Sequence, residues 1–117
     1  MTTAYVTSKD GLAWSWHGTA LAGRSGTWDA RGARVTAVLP DGRAAYDGRA
    51  SKEENFSERT GLASLAGADG RLVPEGDGPV ADVRYLHMLP LPGGGYRLWY
   101  EAPLPDGSHE LRTELVG

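Results

Sequence analysis

The sequence contains no cysteine, so neither a disulfide framework nor a thiolate metal site can hold the fold, and the redox compartment is not specified. It has no excess of positive charge: the formal net charge is -3 and the pI is near 5.5. Nucleic-acid and membrane-surface partners need clustered Lys and Arg, and neither partner is expected here. Long apolar runs are missing too. The opening stretch MTTAYVTSKDG has no basic segment followed by an apolar one, and no window approaches a membrane span, which predicts a cytoplasmic protein. Helix formers such as Lys and Glu are few and scattered. Glycine is plentiful, 17 of 117 residues, and aromatic and β-branched residues sit in short runs, a balance that favours an all-β chain. At this length a single compact domain, 1–117, is the default.

The most informative stretch is Gly26 to Gly48, which reads as a loop carrying Trp28, Asp29 and Arg31, a strand from about Ala33 to Leu39, a Pro40-Asp41-Gly42 turn and a return strand ending at Tyr46-Asp47. Parts of it recur. Arg34 to Pro40 falls on Arg84 to Pro90, Ala45 to Gly48 on Trp99 to Ala102, and Arg59 to Ala63 on Arg112 to Val116, a period of roughly 50 residues. That length suits four short strands with their turns. One complete unit (22–74) is predicted, with strands at Ala33 to Leu39, Arg43 to Asp47, Arg59 to Leu65 and Arg71 to Pro74. A three-stranded unit (75–117) follows, with strands at Val83 to Leu89, Tyr96 to Ala102 and Glu110 to Val116. A half unit (1–21) precedes them, with strands at Ala4 to Ser8 and Leu12 to Trp16. Antiparallel units of this size, repeated, are the signature of β-propeller blades.

The turns SKDG, PDG, GADG and PLPGGG are short and glycine-bearing, as hairpins require. The opposite connections are longer and hold many of the chemically interesting groups. Lys52 to Arg59 is read as a charged, solvated connection able to form a helical turn. Trp14, Trp16 and Trp99 are expected to pack between units.

These motifs resemble the five-bladed β-propeller glycoside hydrolases, the arabinanase and β-xylosidase group with its invertase and levansucrase relatives. The residues concerned are Ser8 to Trp14 (SKDGLAW), Trp28 to Gly32 (WDARG), Asp41-Gly42, Tyr46-Asp47-Gly48 and Arg59 to Ala63 (RTGLA). The resemblance implies a partial propeller, either a piece of a larger one or a subunit that closes the ring as a homo-oligomer. It also implies carboxylate chemistry on a sugar. The Asp-Pro pair typical of the family falls near Arg34-Val35, and Arg84 stands where a later acid is expected. A guanidinium stays charged and cannot act as a general acid, so hydrolysis by the family mechanism is in question.

The candidate cluster comprises Trp28, Asp29, Arg31, Arg34, Asp47, Glu53, Glu54, Arg59, Arg84 and Glu101. Carboxylates hydrogen-bond sugar hydroxyls, arginines clamp anions, and an exposed aromatic presents a flat face to a ring. Asp29, Asp47 and Glu101 are the candidate catalytic acids, and the others are candidate ligand contacts. The competing reading makes Asp29 a cap on backbone N–H groups of its loop, and makes Arg34 and Arg84 struts paired with neighbouring carboxylates, which their shared repeat position favours. His17, His87 and His109 are too dispersed for a metal site, and no cofactor or metal is expected. Three functions remain open: a glycoside-hydrolase-like component that binds a carbohydrate or glycosylated small molecule with impaired or no hydrolysis; an active glycosidase with carboxylates from unfamiliar positions or across subunits; and a structural or interaction module.

Overall fold

The computed structural model describes all 117 residues and contains nine strands, no helix and only antiparallel pairing. Three sheets follow one another along the chain. The first is the hairpin β1 (Thr3–Thr7) and β2 (Ser15–Leu21). The second is the four-stranded meander β3 (Gly32–Val38), β4 (Ala44–Arg49), β5 (Arg59–Leu65) and β6 (Leu72–Pro74). The third is β7 (Arg84–Pro90), β8 (Tyr96–Pro103) and β9 (His109–Val116). The three sheets thus hold two, four and three strands in chain order, the strand numbers expected for the three segments. No helix long and apolar enough to cross a membrane is present.

The middle sheet is the centre of the molecule because both of its faces are covered. Side chains alternate along a strand, so Ala33 and Val35 share one face with their cross-strand partners Gly48 and Tyr46, and with Gly61 and Ala63. Leu21 and Trp28 complete the core on this face with Ala33, Tyr46 and Ala63. The opposite face carries Arg34, Asp47 and Thr60, and meets β7 and the chain just before it. There Thr60 Oγ1 donates to the Val83 carbonyl at 2.8 Å, and Asp47 accepts the Tyr85 N–H at 3.0 Å. Small residues make this two-sided burial possible. Ala44, Ala45, Tyr46, Asp47 and Gly48 are all buried, which is why β4 does not show the alternation of a sheet with one wet face.

Two expectations fail in the hairpin. The second strand begins at Ser15 rather than Leu12, because Asp10 Oδ1 accepts the N–H groups of Leu12 and Ala13 at 2.8 and 3.0 Å and keeps them out of the ladder. Trp14 and Trp16 are not packed between sheets: they are 61% and 71% exposed. Lys52 to Arg59 forms turns without a helix and enters β5 at Arg59. Gly93 to Gly95 is the β7–β8 hairpin turn, with Gly94 and Gly95 at φ values of 96° and 76°.

Candidate functional site

β4 sends its two central polar side chains in opposite directions, and each ends at a different carboxylate cluster. Tyr46 points to the core face, where it stacks on Trp28 with ring centroids 5.6 Å apart. Its hydroxyl donates to Asp29 Oδ2 at 2.8 Å. Asp29 is fully buried and accepts side-chain bonds alone: Arg24 Nε at 3.1 Å and Nη2 at 3.0 Å, Thr27 Oγ1 at 2.5 Å, and the Tyr46 hydroxyl. The expected alternative, a cap on backbone N–H groups, is replaced by these side-chain donors. Burial by itself would raise the Asp29 carboxyl, but the donors outweigh it and hold the group below its ordinary value. Burial and the neighbouring Asp29 carboxylate push the Tyr46 phenol well above its usual range.

Trp28 lies flat over β4 and β5 and is 9% exposed. Two glycines make room for it: a Cβ on Gly48 would meet its ring at 2.6 Å, and one on Gly61 at 2.7 Å. The Arg59 guanidinium sits 5.7 Å from the Trp28 ring centroid and pairs with Glu54 at 3.4 Å. Glu54 also accepts the Ala50 N–H at 3.1 Å. Trp28, Arg59 and Glu54 therefore form one connected group. Arg31 and Glu53 are exposed and stand apart from it.

Asp47 points to the other face, and the second cluster is built around it where the middle and third sheets meet. Arg34 and Asp47 are cross-strand partners joined at 2.9 Å; Arg84 and Glu101 are the corresponding partners in the third sheet, joined at 2.8 Å. The recurrence seen in the sequence is thus a recurring ion pair, which is the strut geometry. Both guanidinium groups converge on one ring, that of Tyr85, at 4.7 Å for Arg34 and 5.1 Å for Arg84. Arg84 also donates to the Phe56 carbonyl at 2.6 Å and lies 3.7 Å from buried Glu58. Glu58 Oε2 has no hydrogen-bond donor. Burial pushes the Asp47 carboxyl above its ordinary value and nearby Glu58 adds to this, while Arg34 and the Tyr85 N–H offset only part of it.

The sequence reading missed Arg24 and Thr27, which hold Asp29, and Phe56, Glu58 and Tyr85, which surround Arg84. Tyr85 had a visible signal in its place beside a repeated arginine. Its backbone gave none, since a tyrosine at φ 55° is not an expected conformation. Away from both clusters, an apolar groove of about 480 Å³ runs between the first hairpin and the middle sheet, lined by Tyr5, Val35, Leu65 and Leu72 among others. The chain matches no known family model, no curated protein and no solved structure.

Proposed function

We propose that the chain is a propeller-type, glycoside-hydrolase-like component that binds a carbohydrate or glycosylated small molecule without hydrolysing it. The observation that carries this reading is the exposed Tyr85 ring with the half-exposed Arg34 guanidinium 4.7 Å from its centroid and the Arg84–Glu101 pair beside it. Such a surface offers guanidinium donors, carboxylate acceptors and an aromatic group in one place, which suits a polyhydroxylated ligand.

The same pairs argue against hydrolysis. A general acid must hold a transferable proton within reach of the glycosidic oxygen. Asp29 is buried and held in its ionised form; Asp47, although its carboxyl is pushed above its ordinary value, is fully buried between Arg34 and the Tyr85 N–H, out of reach of a glycosidic oxygen; and Glu101 is bound to Arg84. In the proposed assembly, further copies of the chain cover the exposed faces of the first and third sheets, as neighbouring blades cover one another in a propeller.

The test is isothermal titration with a panel of methyl glycosides, run beside a turnover assay on the matching p-nitrophenyl glycosides. Saturable binding without release of nitrophenol is expected. Turnover abolished by Asp47→Asn or Glu101→Gln would establish an active glycosidase instead. A structural module is the second reading, favoured by the bonds that cross between sheets from Thr60 to Val83 and from Tyr85 to Asp47. It predicts no binding to any sugar.

A further inference from the structure

The dipeptide Asp-Gly occurs six times, at Asp10, Asp41, Asp47, Asp69, Asp77 and Asp106. A glycine after aspartate leaves its backbone nitrogen unshielded, so that nitrogen can reach the aspartate side-chain carbon wherever both groups are free to turn. At five of the pairs they are not free. Asp10, Asp41, Asp69 and Asp106 each accept the N–H two residues on, at 2.8, 3.0, 3.1 and 2.9 Å. In three of these turns the glycine N–H is held too: Gly11 donates to Ser8 Oγ, Gly42 to the Leu39 carbonyl and Gly107 to the Leu104 carbonyl. In the fourth, Gly70 is buried against the Tyr5 ring. Asp47 is buried and bound by Arg34 and the Tyr85 N–H.

Asp77-Gly78 is the exception. Both residues are exposed, the Asp77 carboxylate has neither a hydrogen bond nor an ion pair, and the Gly78 N–H has no acceptor. Glycines stand on both sides of Asp77, and nothing lies within 4 Å of a Cβ built on either. The bend is tied only at its ends, where Arg24 donates to the Gly76 carbonyl at 3.2 Å and the Val80 N–H to the Thr60 carbonyl at 2.8 Å. We infer that Asp77 is a self-modification site, where the folded chain converts aspartate to isoaspartate. The Gly78 nitrogen attacks Asp77 Cγ; a C–N bond forms, a carboxyl C–O bond breaks, and that oxygen leaves as water with the amide proton and one from solvent. Water then opens the five-membered imide. Breaking the new C–N bond restores aspartate, whereas breaking the bond to the Asp77 main-chain carbonyl routes the backbone through Cγ and frees an α-carboxylate. No atom is gained or lost overall.

The test ages the protein at neutral pH and physiological temperature, folded and in urea, and locates isoaspartate in its peptides by electron-transfer fragmentation. In the folded protein Asp77 should accumulate more isoaspartate than the other five sites together; in urea, where the turns are lost, those sites should approach its rate. Gly78→Ala should suppress the product at Asp77, because a methyl group crowds the attacking nitrogen, while the melt stays as in wild type. Equal conversion at the turn aspartates of the folded protein, or none at Asp77, would overturn the assignment. So would an unchanged preference for Asp77 in urea, since local sequence and not the fold would then select the site.

Discussion

Asp29 and Asp47 are both fully buried aspartates in ion pairs with arginine, yet their environments push them in opposite directions. Asp29 is surrounded by donors, two from a forked guanidinium and two from hydroxyls, so ionisation is favoured inside the protein. Asp47 has fewer donors and a second carboxylate nearby. The linkage follows from the signs. A carboxyl held below its ordinary value of 3.8 contributes stability above that pH and loses it as pH falls through the depressed value. A carboxyl held above 3.8 does the reverse: ionising it inside the protein is costly, and stability is regained as pH falls through the raised value. Asp29→Asn should therefore lower stability at neutral pH by about 1–3 kcal/mol, the cost of weakening hydrogen bonds to a buried charged group, and flatten the loss of stability in acid. Asp47→Asn should make that acid loss steeper than in wild type, because the regained term is gone. Urea unfolding at a series of pH values between neutral and about 3 checks both signs.

The strand β4 sets the scale of the element, since its neighbouring residues Tyr46 and Asp47 serve two clusters on opposite faces of one sheet. That arrangement depends on the glycines beside it. Gly61 does not have a positive φ, so space alone requires glycine there: a Cβ would stand 2.7 Å from both the Trp28 and Tyr46 rings. Both rings are fixed by each other and by the Asp29 bond, so they have little freedom to move aside. Gly61→Ala is expected to cost about 1–3 kcal/mol through overpacking. Gly78→Ala, where nothing lies within 4 Å of the added carbon, should be neutral or slightly stabilising. Thermal melts of the two variants decide whether space or backbone freedom governs these positions.

The strands were legible because turn chemistry is local. Asp41-Gly42 and Gly93 to Gly95 declare their hairpins, and the recurring Arg34 and Arg84 declare corresponding strands. The start of β2 was not legible, because Asp10 reaches two backbone N–H groups through its side chain and leaves no periodic trace. The partners of Asp29 escaped for the same reason: Arg24 and Thr27 act from within an irregular loop. The ion pairs of Arg34 and Arg84 could be anticipated from the repeat, but their convergence on Tyr85 depends on how two sheets meet.

For the whole molecule, burial is concentrated in the middle sheet. Only 19 of 117 residues are buried, and every residue of β9 but His109 is exposed. The outer edge of β9 has no strand beside it, and its exposed Leu111 and Leu115 fall on the same face of the strand. An unpaired edge bearing apolar side chains is a template for another chain. The first hairpin adds Leu12, Trp14 and Trp16 to the uncovered apolar surface. If further copies cover these faces, light scattering should give a mass above the 12.5 kDa monomer that rises with concentration to a discrete plateau. Leu111→Lys combined with Leu115→Lys places charge on the β9 edge without touching the buried core. It should shift the mass toward the monomer while the melt of the middle sheet remains cooperative. A wild-type mass of 12.5 kDa at every concentration would instead mean that the edge is tolerated in water, and would remove assembly from the proposed function.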